Sequence, residues 1–293
     1  MLERDIEVGD VTLHVREMGQ GPLVIFLHGF PDCSYTWRHQ LPALAAAGFH
    51  VVAPDLRGYG GSSRPKGIGS YSVRALAGDV AGLVTALGEE HADVVAHDWG
   101  GGAAWTFAML HPEKLRRLAI LNAPHPAAFV RRLRSLEQLR RSWYMFAFQV
   151  PLVPELALAR NDFAAIRSAF RTASLRPGAF TDADIERHVD ALRSPGTLTA
   201  ALNYYRAAFR SRGVRPRRID HPVLVLWGDK DPYLVSELAD PGSEWTQAAR
   251  TLHVPDAGHW IQHDVPELVN DELVGFFTGT EAKVITREGL PEH

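Results

Sequence analysis

Ala96-His97-Asp98-Trp99-Gly100-Gly101 decides how the rest of this chain is read. The strand-to-helix turn usually written G-x-S-x-G needs small residues two places either side of its centre. Ala96 and Gly100 meet that steric demand around Asp98. Asp93-Val94-Val95-Ala96 reads as the end of a buried strand, and Gly101 to Leu110 as a helix stopped near His111-Pro112. The context of the turn is therefore present, with a carboxylate where a serine would stand. A serine alkoxide suits acyl carbonyls and must be generated by a base. A carboxylate is ionised at neutral pH and can displace a leaving group from saturated carbon. Such an attack leaves an ester on Asp98, whose hydrolysis needs a general base and donors for an oxyanion. The competing reading makes Asp98 a cap on the following helix.

Outward from this turn, short apolar runs at Leu23 to Leu27, Val51 to Ala53, Leu118 to Leu121, Val223 to Trp227 and Thr251 to Val254 read as buried strands. A helical pattern separates them in places, as at Val73, Leu76, Ala77, Val80, Leu83, Val84 and Leu87. Buried strands alternating with helices predict an α/β fold with a mainly parallel sheet covered on both faces. Ile6 to Val15 alternates and turns at Gly9-Asp10, as an antiparallel hairpin does. The alternation fails between about Pro126 and Pro216, where aromatic, helix-rich sequence is broken by Pro151, Pro154, Pro177 and Pro195. This predicts a core of residues 1–125 and 216–293 with a helical cap inserted at 126–215.

Composition narrows the partners. With 31 basic and 34 acidic residues the formal charge is -3, so no global field recruits nucleic acid or an anionic membrane. Basic runs such as Arg131-Arg132-Leu133-Arg134 and Arg140-Arg141 read as solvated helix faces. A lone Cys33, a charged N-terminus and no bilayer-length apolar run make a cytoplasmic protein the expectation. Cys33 itself reads as a small filler near the pocket mouth.

Two further segments supply partners for Asp98. Val254-Pro255-Asp256-Ala257-Gly258-His259-Trp260 sets a histidine in a loop after a strand, where an α/β sheet presents its chemistry. Asp229-Lys230-Asp231 follows another strand, and Asp231 is favoured as the acid that orients the imidazole, since Asp229 sits close to Gly228 and would organise the turn. The order nucleophile, acid, histidine is the one given for G-x-S-x-G turns. His259 with His263 also spaces as a metal pair, but it lacks the intervening glutamate and a third ligand. Leu27-His28-Gly29-Phe30-Pro31 leaves a strand directly, so the N–H groups of Phe30 and Trp99 are candidate oxyanion donors. The glycine-rich run 55–63 matches neither phosphate-binding pattern, and no nucleotide is expected there.

HGFPD at 28–32, DLRGYGGSSRP at 55–65, HDWGG at 97–101, WGDKDPYL at 227–234 and GHWIQHDVPE at 258–267 together resemble the epoxide hydrolase branch of the α/β-hydrolase fold family. The resemblance spans nearly the whole chain and implies an eight-stranded, mainly parallel sheet with a cap. It also implies two cap tyrosines that donate to the oxirane oxygen. Ser142 to Pro151 resembles the first cap motif and Leu202 to Arg206 the second, which carries these roles to Tyr144 and Tyr205. Neighbours on a helix point about 100° apart, so only one of Trp143 and Tyr144, and one of Tyr204 and Tyr205, faces the pocket. The implied reaction turns a small-molecule epoxide into a vicinal diol through an ester on Asp98, with water activated by His259 and Asp231. It needs no metal or organic cofactor. Trp37, Phe146 and Phe148 are candidate walls of a mostly apolar pocket. Haloalkane dehalogenases resemble this chain in the same places, but they cradle a halide between two N–H donors. Trp99 would supply one, while Phe30 and Tyr144 stand where the usual second donors would be. A non-catalytic ligand receptor on the same scaffold would have no need of the complete nucleophile, acid and histidine set.

Overall fold

The N-terminal hairpin forms as β1 (Leu2–Val8) and β2 (Val11–Met18), paired antiparallel about Gly9-Asp10. The computed structural model describes residues 1–280, so positions 281–293 of the expected core lie outside the described residues. Six more strands follow: β3 (Leu23–Leu27), β4 (His50–Pro54), β5 (Ala92–His97), β6 (Leu115–Leu121), β7 (Val223–Gly228) and β8 (Ala249–Val254). The described residues form one eight-stranded sheet in the order β1-β2-β4-β3-β5-β6-β7-β8, parallel from β4 to β8.

The apolar runs are continuous because both faces are covered, and successive side chains go to opposite faces. Leu23, Ile25 and Leu27 join the core under α2 (Val73–Ala86) and α3 (Trp99–Leu110). Val24 and Phe26 join a second core under α1 (Gln40–Ala46) and α11 (Pro266–Thr278). From β3 the chain moves one way to β4, then returns past β3 to β5. The connections leaving β3 and β5 therefore diverge, and the crevice opens beyond the carboxyl ends of those two strands. Leu27 and His97 end them, which puts the loop of Phe30 and the turn of Asp98 side by side.

Between β6 and β7 the chain makes α4 (Pro126–Arg132), α5 (Leu136–Arg141), α6 (Trp143–Ala147), α7 (Val153–Ala173), α8 (Asp182–Arg193) and α9 (Thr197–Arg210). Pro177 and Pro195 fall in the gaps on either side of α8. Within α7 the backbone leaves helical geometry at Arg160 to Phe163. These helices are pinned to the core by specific bonds. Tyr204 donates its hydroxyl to the Arg57 carbonyl at 2.8 Å, Tyr35 donates to Asp184 Oδ1 at 2.7 Å, and the Leu175 N–H donates to Asp264 Oδ1 at 2.8 Å. After β8 comes α10 (Ile261–Asp264), a single turn. Among the described residues no helix is long and apolar enough to cross a membrane.

Candidate active site

Asp98 stands between β5 and α3 at φ 50° and ψ −120°, a conformation that residues with a Cβ seldom adopt. Close approach explains the small residues around it. A Cβ on Gly100 would fall 2.3 Å from the Leu27 carbonyl oxygen, and one on Gly29 would fall 2.3 Å from Asp98 Oδ1. The side chain makes no capping bond to α3, so the helix-cap reading does not hold. Instead Oδ1 accepts the Phe30 N–H at 2.8 Å. Trp99 opens α3, and its N–H is among the first four that have no partner inside the helix.

His259 and Asp231 come together as expected, Nδ1 lying 2.7 Å from Oδ2. Asp229 is engaged elsewhere, with His253 at 2.6 Å, so Asp231 is the one of the two that bonds the His259 imidazole. The other face of the imidazole looks to Asp98, Nε2 to Oδ2 being 3.7 Å, beyond a direct hydrogen bond. Burial alone would lower the His259 pKa, but the charge and hydrogen bond of Asp231, helped by Asp98, raise it to about 9. Burial would likewise raise Asp231, yet His259, Asn122 and the Tyr233 N–H bring it below its ordinary range.

Sequence reasoning missed two residues that build this pair. Asn122, the residue after β6, donates Nδ2 to Asp231 Oδ2 at 2.8 Å and accepts the Gly228 N–H at 2.8 Å. Arg141, read as part of a solvated run, donates to the carbonyls of Asp231 at 2.6 Å and Leu234 at 3.1 Å. Asn122 had one signal: a polar residue ending an apolar strand on the edge where the site forms. Nothing in an Arg-Arg pair marks the inward one.

Tyr144 and Tyr205 both line the cavity that holds Asp98, their rings 5.9 Å apart. Their neighbours go elsewhere. Trp143 is 67% exposed, and Tyr204 is buried against Tyr59 and Tyr71. Burial first, and then nearby charge including that of Asp98, push both phenols well above their usual pKa, so each holds its proton. The cavity has a volume of about 640 Å³.

The expected pocket walls need correction. Trp37 is fully buried in the core under α1 and α11, its ring 5.3 Å from Phe26, because its side chain enters the opposite face of the sheet. Phe146 is 44% exposed and packs on Phe209. Phe148 stands behind the tyrosines, 5.0 Å from Tyr205 and 5.6 Å from Tyr144, rather than on the cavity surface. Cys33 is buried, and burial first, with the charge of Asp55 next, pushes its thiol far up, which leaves it a packing residue. His263 bonds Thr36 Oγ1 at 2.9 Å, away from the Asp231 pair, so the two histidines do not share a ligand site. In the glycine-rich run, Asp55 accepts the N–H groups of Ser34 and Gly61, which makes that loop a scaffold.

Comparison with known proteins bears on the fold and the family. The pattern defining the alpha/beta hydrolase fold matches residues 22–266. The AB hydrolase superfamily protein YfhM of Bacillus subtilis is 38% identical over 276 residues, 92% of this chain and 96% of that protein. Epoxide hydrolase 4 of Mus musculus is 36% identical over 261 residues, 87% of this chain and 72% of that protein. The crystal structure of Bacillus megaterium epoxide hydrolase in complex with an inhibitor aligns with a TM-score of 0.87 at 34% identity, covering 94% of this chain and all of that one. The chain belongs to the α/β-hydrolase fold family, within its epoxide hydrolase branch.

Proposed function

We propose that this protein is a cytoplasmic epoxide hydrolase that works through an ester on Asp98, beneath a cap formed by residues 126–215. An Asp98 oxygen bonds to a ring carbon from the side opposite the C–O bond that breaks. The electron pair passes to the ring oxygen, which takes a proton from Tyr144 or Tyr205. His259, oriented by Asp231, passes its proton to that phenolate and then removes one from water, whose oxygen adds to the ester carbonyl carbon. The Phe30 and Trp99 N–H groups hold the oxyanion. On collapse the imidazolium protonates the departing alkoxide, the new Asp98 carboxyl returns its proton to His259, the diol leaves, and no metal or organic cofactor enters any step.

One observation carries this reading: the Asp98 carboxylate, freed from helix capping, takes the Phe30 N–H on one oxygen while the other turns toward His259. Tyr144 and Tyr205 in the same cavity favour an epoxide over an alkyl halide, since two phenols serve an alkoxide better than a halide. Replacing His259 by Gln blocks the second step, so intact mass after incubation with styrene oxide is expected to gain one epoxide, located to Asp98 by peptide mapping. An unmodified variant alongside a wild-type protein that turns over the epoxide would falsify the covalent route. An adduct from an alkyl bromide and none from the epoxide would make the protein a dehalogenase instead.

A further inference from the structure

Helix α3 carries three glycines, Gly100 to Gly102, directly after Trp99, each costing roughly 1 kcal/mol relative to alanine inside a helix. Packing accounts for two of them. A Cβ on Gly100 would meet the Leu27 carbonyl, and one on Gly101 would lie 2.2 Å from the Ala123 Cβ. Gly102 has no such neighbour. The nearest atom to a Cβ there is Trp99 Cε3 at 3.8 Å, an ordinary contact, so a methyl group would fit without displacing anything. What lies beyond it is the cavity.

Gly102, Thr106 and Met109 all line that cavity, and spacings of four and three put them on one stripe of the helix. At a rise of 1.5 Å per residue the stripe runs about 10 Å, starting one turn from Asp98. Across from it α9 supplies Tyr205 and Ala208, three apart on one stripe, and Ser211 follows just past the helix end, so this wall too is small beyond the tyrosine. The polar atoms along the α3 wall already have partners. Thr106 donates its hydroxyl to the Gly102 carbonyl at 2.8 Å, and Met109 Sδ accepts the Arg217 N–H at 3.4 Å. The far end comes out among residues 211–216, where Arg212, Gly213 and Pro216 are exposed.

We propose that this channel receives an extended apolar arm of the epoxide, and that Gly102 is the specificity-determining residue that holds its first turn open beside Asp98. The inference rests on the epoxide hydrolase reading above. It makes the preferred substrates lipophilic epoxides with a long, unbranched substituent, because each methylene lodged between α3 and α9 leaves water for an apolar wall.

The test compares kcat/KM for dodecene oxide and butene oxide in the wild type, Gly102→Leu and Ala208→Trp. Ala208 is exposed, so a bulky residue there narrows the channel from the α9 side without entering the core. The wild type is expected to prefer dodecene oxide, and in each variant the ratio should fall about tenfold or more, as when two or so methylenes are kept in water. If the wild type hydrolyses butene oxide but shows no preference for the longer arm, or if both variants leave the ratio unchanged, the channel has no such role and the epoxide reading stands. A wild type that hydrolyses neither compound fails at the earlier step.

Discussion

Replacing His259 by Gln should change how stability depends on pH as well as trapping an ester. In the folded protein the imidazole has a pKa of about 9 against 6.5 for the free group, because Asp231 and Asp98 outweigh burial. A raised pKa means that the protonated form stabilises the fold fully below 6.5, and that this contribution is lost as pH climbs through 9. The gap between 6.5 and about 9, at about 1.4 kcal/mol per pH unit, sets a ceiling of roughly 3 to 4 kcal/mol. Between about pH 6 and about pH 10 most of it should vanish, roughly 3 kcal/mol. The variant lacks the group, while its Asp231 keeps donors from Asn122, Tyr233 and Leu234. Urea unfolding of both proteins at the two pH values isolates the effect, since every other titration is common to them and cancels. The wild type should lose roughly 3 kcal/mol more than the variant on going to the higher pH. Equal losses would mean that the imidazole is not held as a cation between two carboxylates, and the charge balance assigned to the site would be wrong.

Two other outcomes follow from the placements of aromatic residues. Tyr144→Phe and Tyr205→Phe should each slow formation of the Asp98 ester about tenfold to a hundredfold, and the double variant by about a thousandfold or more. Quenched-flow mass spectrometry in a His259→Gln background measures that step alone, and an unchanged rate in the double variant would remove the phenols from the chemistry. Trp37→Ala should cost about 3 to 5 kcal/mol of stability, as for other large buried aromatics, because the indole fills the core against Phe26. Its relative kcat/KM across epoxides should stay put; a shifted preference with an unchanged melting temperature would return Trp37 to the pocket.

The sheet was legible because each strand announces itself by what bounds it: Leu23 to Leu27 stops at His28-Gly29, and Val94 to Ala96 stops at the turn of Asp98. The same holds for Asp98, Asp231 and His259, which sit just past strand ends, so that locating the strands nearly locates the residues. Side-chain direction was harder to read. Trp37 lies in a four-residue turn after the Phe30 loop, too short for any periodicity to say which face of the sheet its indole enters. Phe146 and Phe148 fall on or just past a five-residue helix, where the backbone has barely completed one turn. Asn122 and Arg141 act through bonds to residues about a hundred positions away, and neither local propensity nor charge patterning reaches that far.

In the proposed route, the raised His259 pKa bears on how one imidazole would serve once Asp98 had reacted. A histidine protonated at neutral pH is a poor base, and Asp231 and Asp98 together keep it protonated while the site is empty. Formation of the ester removes the charge of Asp98 and with it one of the attractions that hold the proton. Losing it would lower the imidazole pKa, while Asp231 keeps the ring in place through Nδ1. Basicity at Nε2 thus becomes available when an ester exists to be hydrolysed. Before that, in the same route, an imidazolium next to Asp98 would leave the carboxylate free to attack carbon, with no water activated ahead of the covalent step. The 3.7 Å separation suits both stages, since it is close enough for the two charges to interact and too long for a hydrogen bond that would tie up the attacking oxygen.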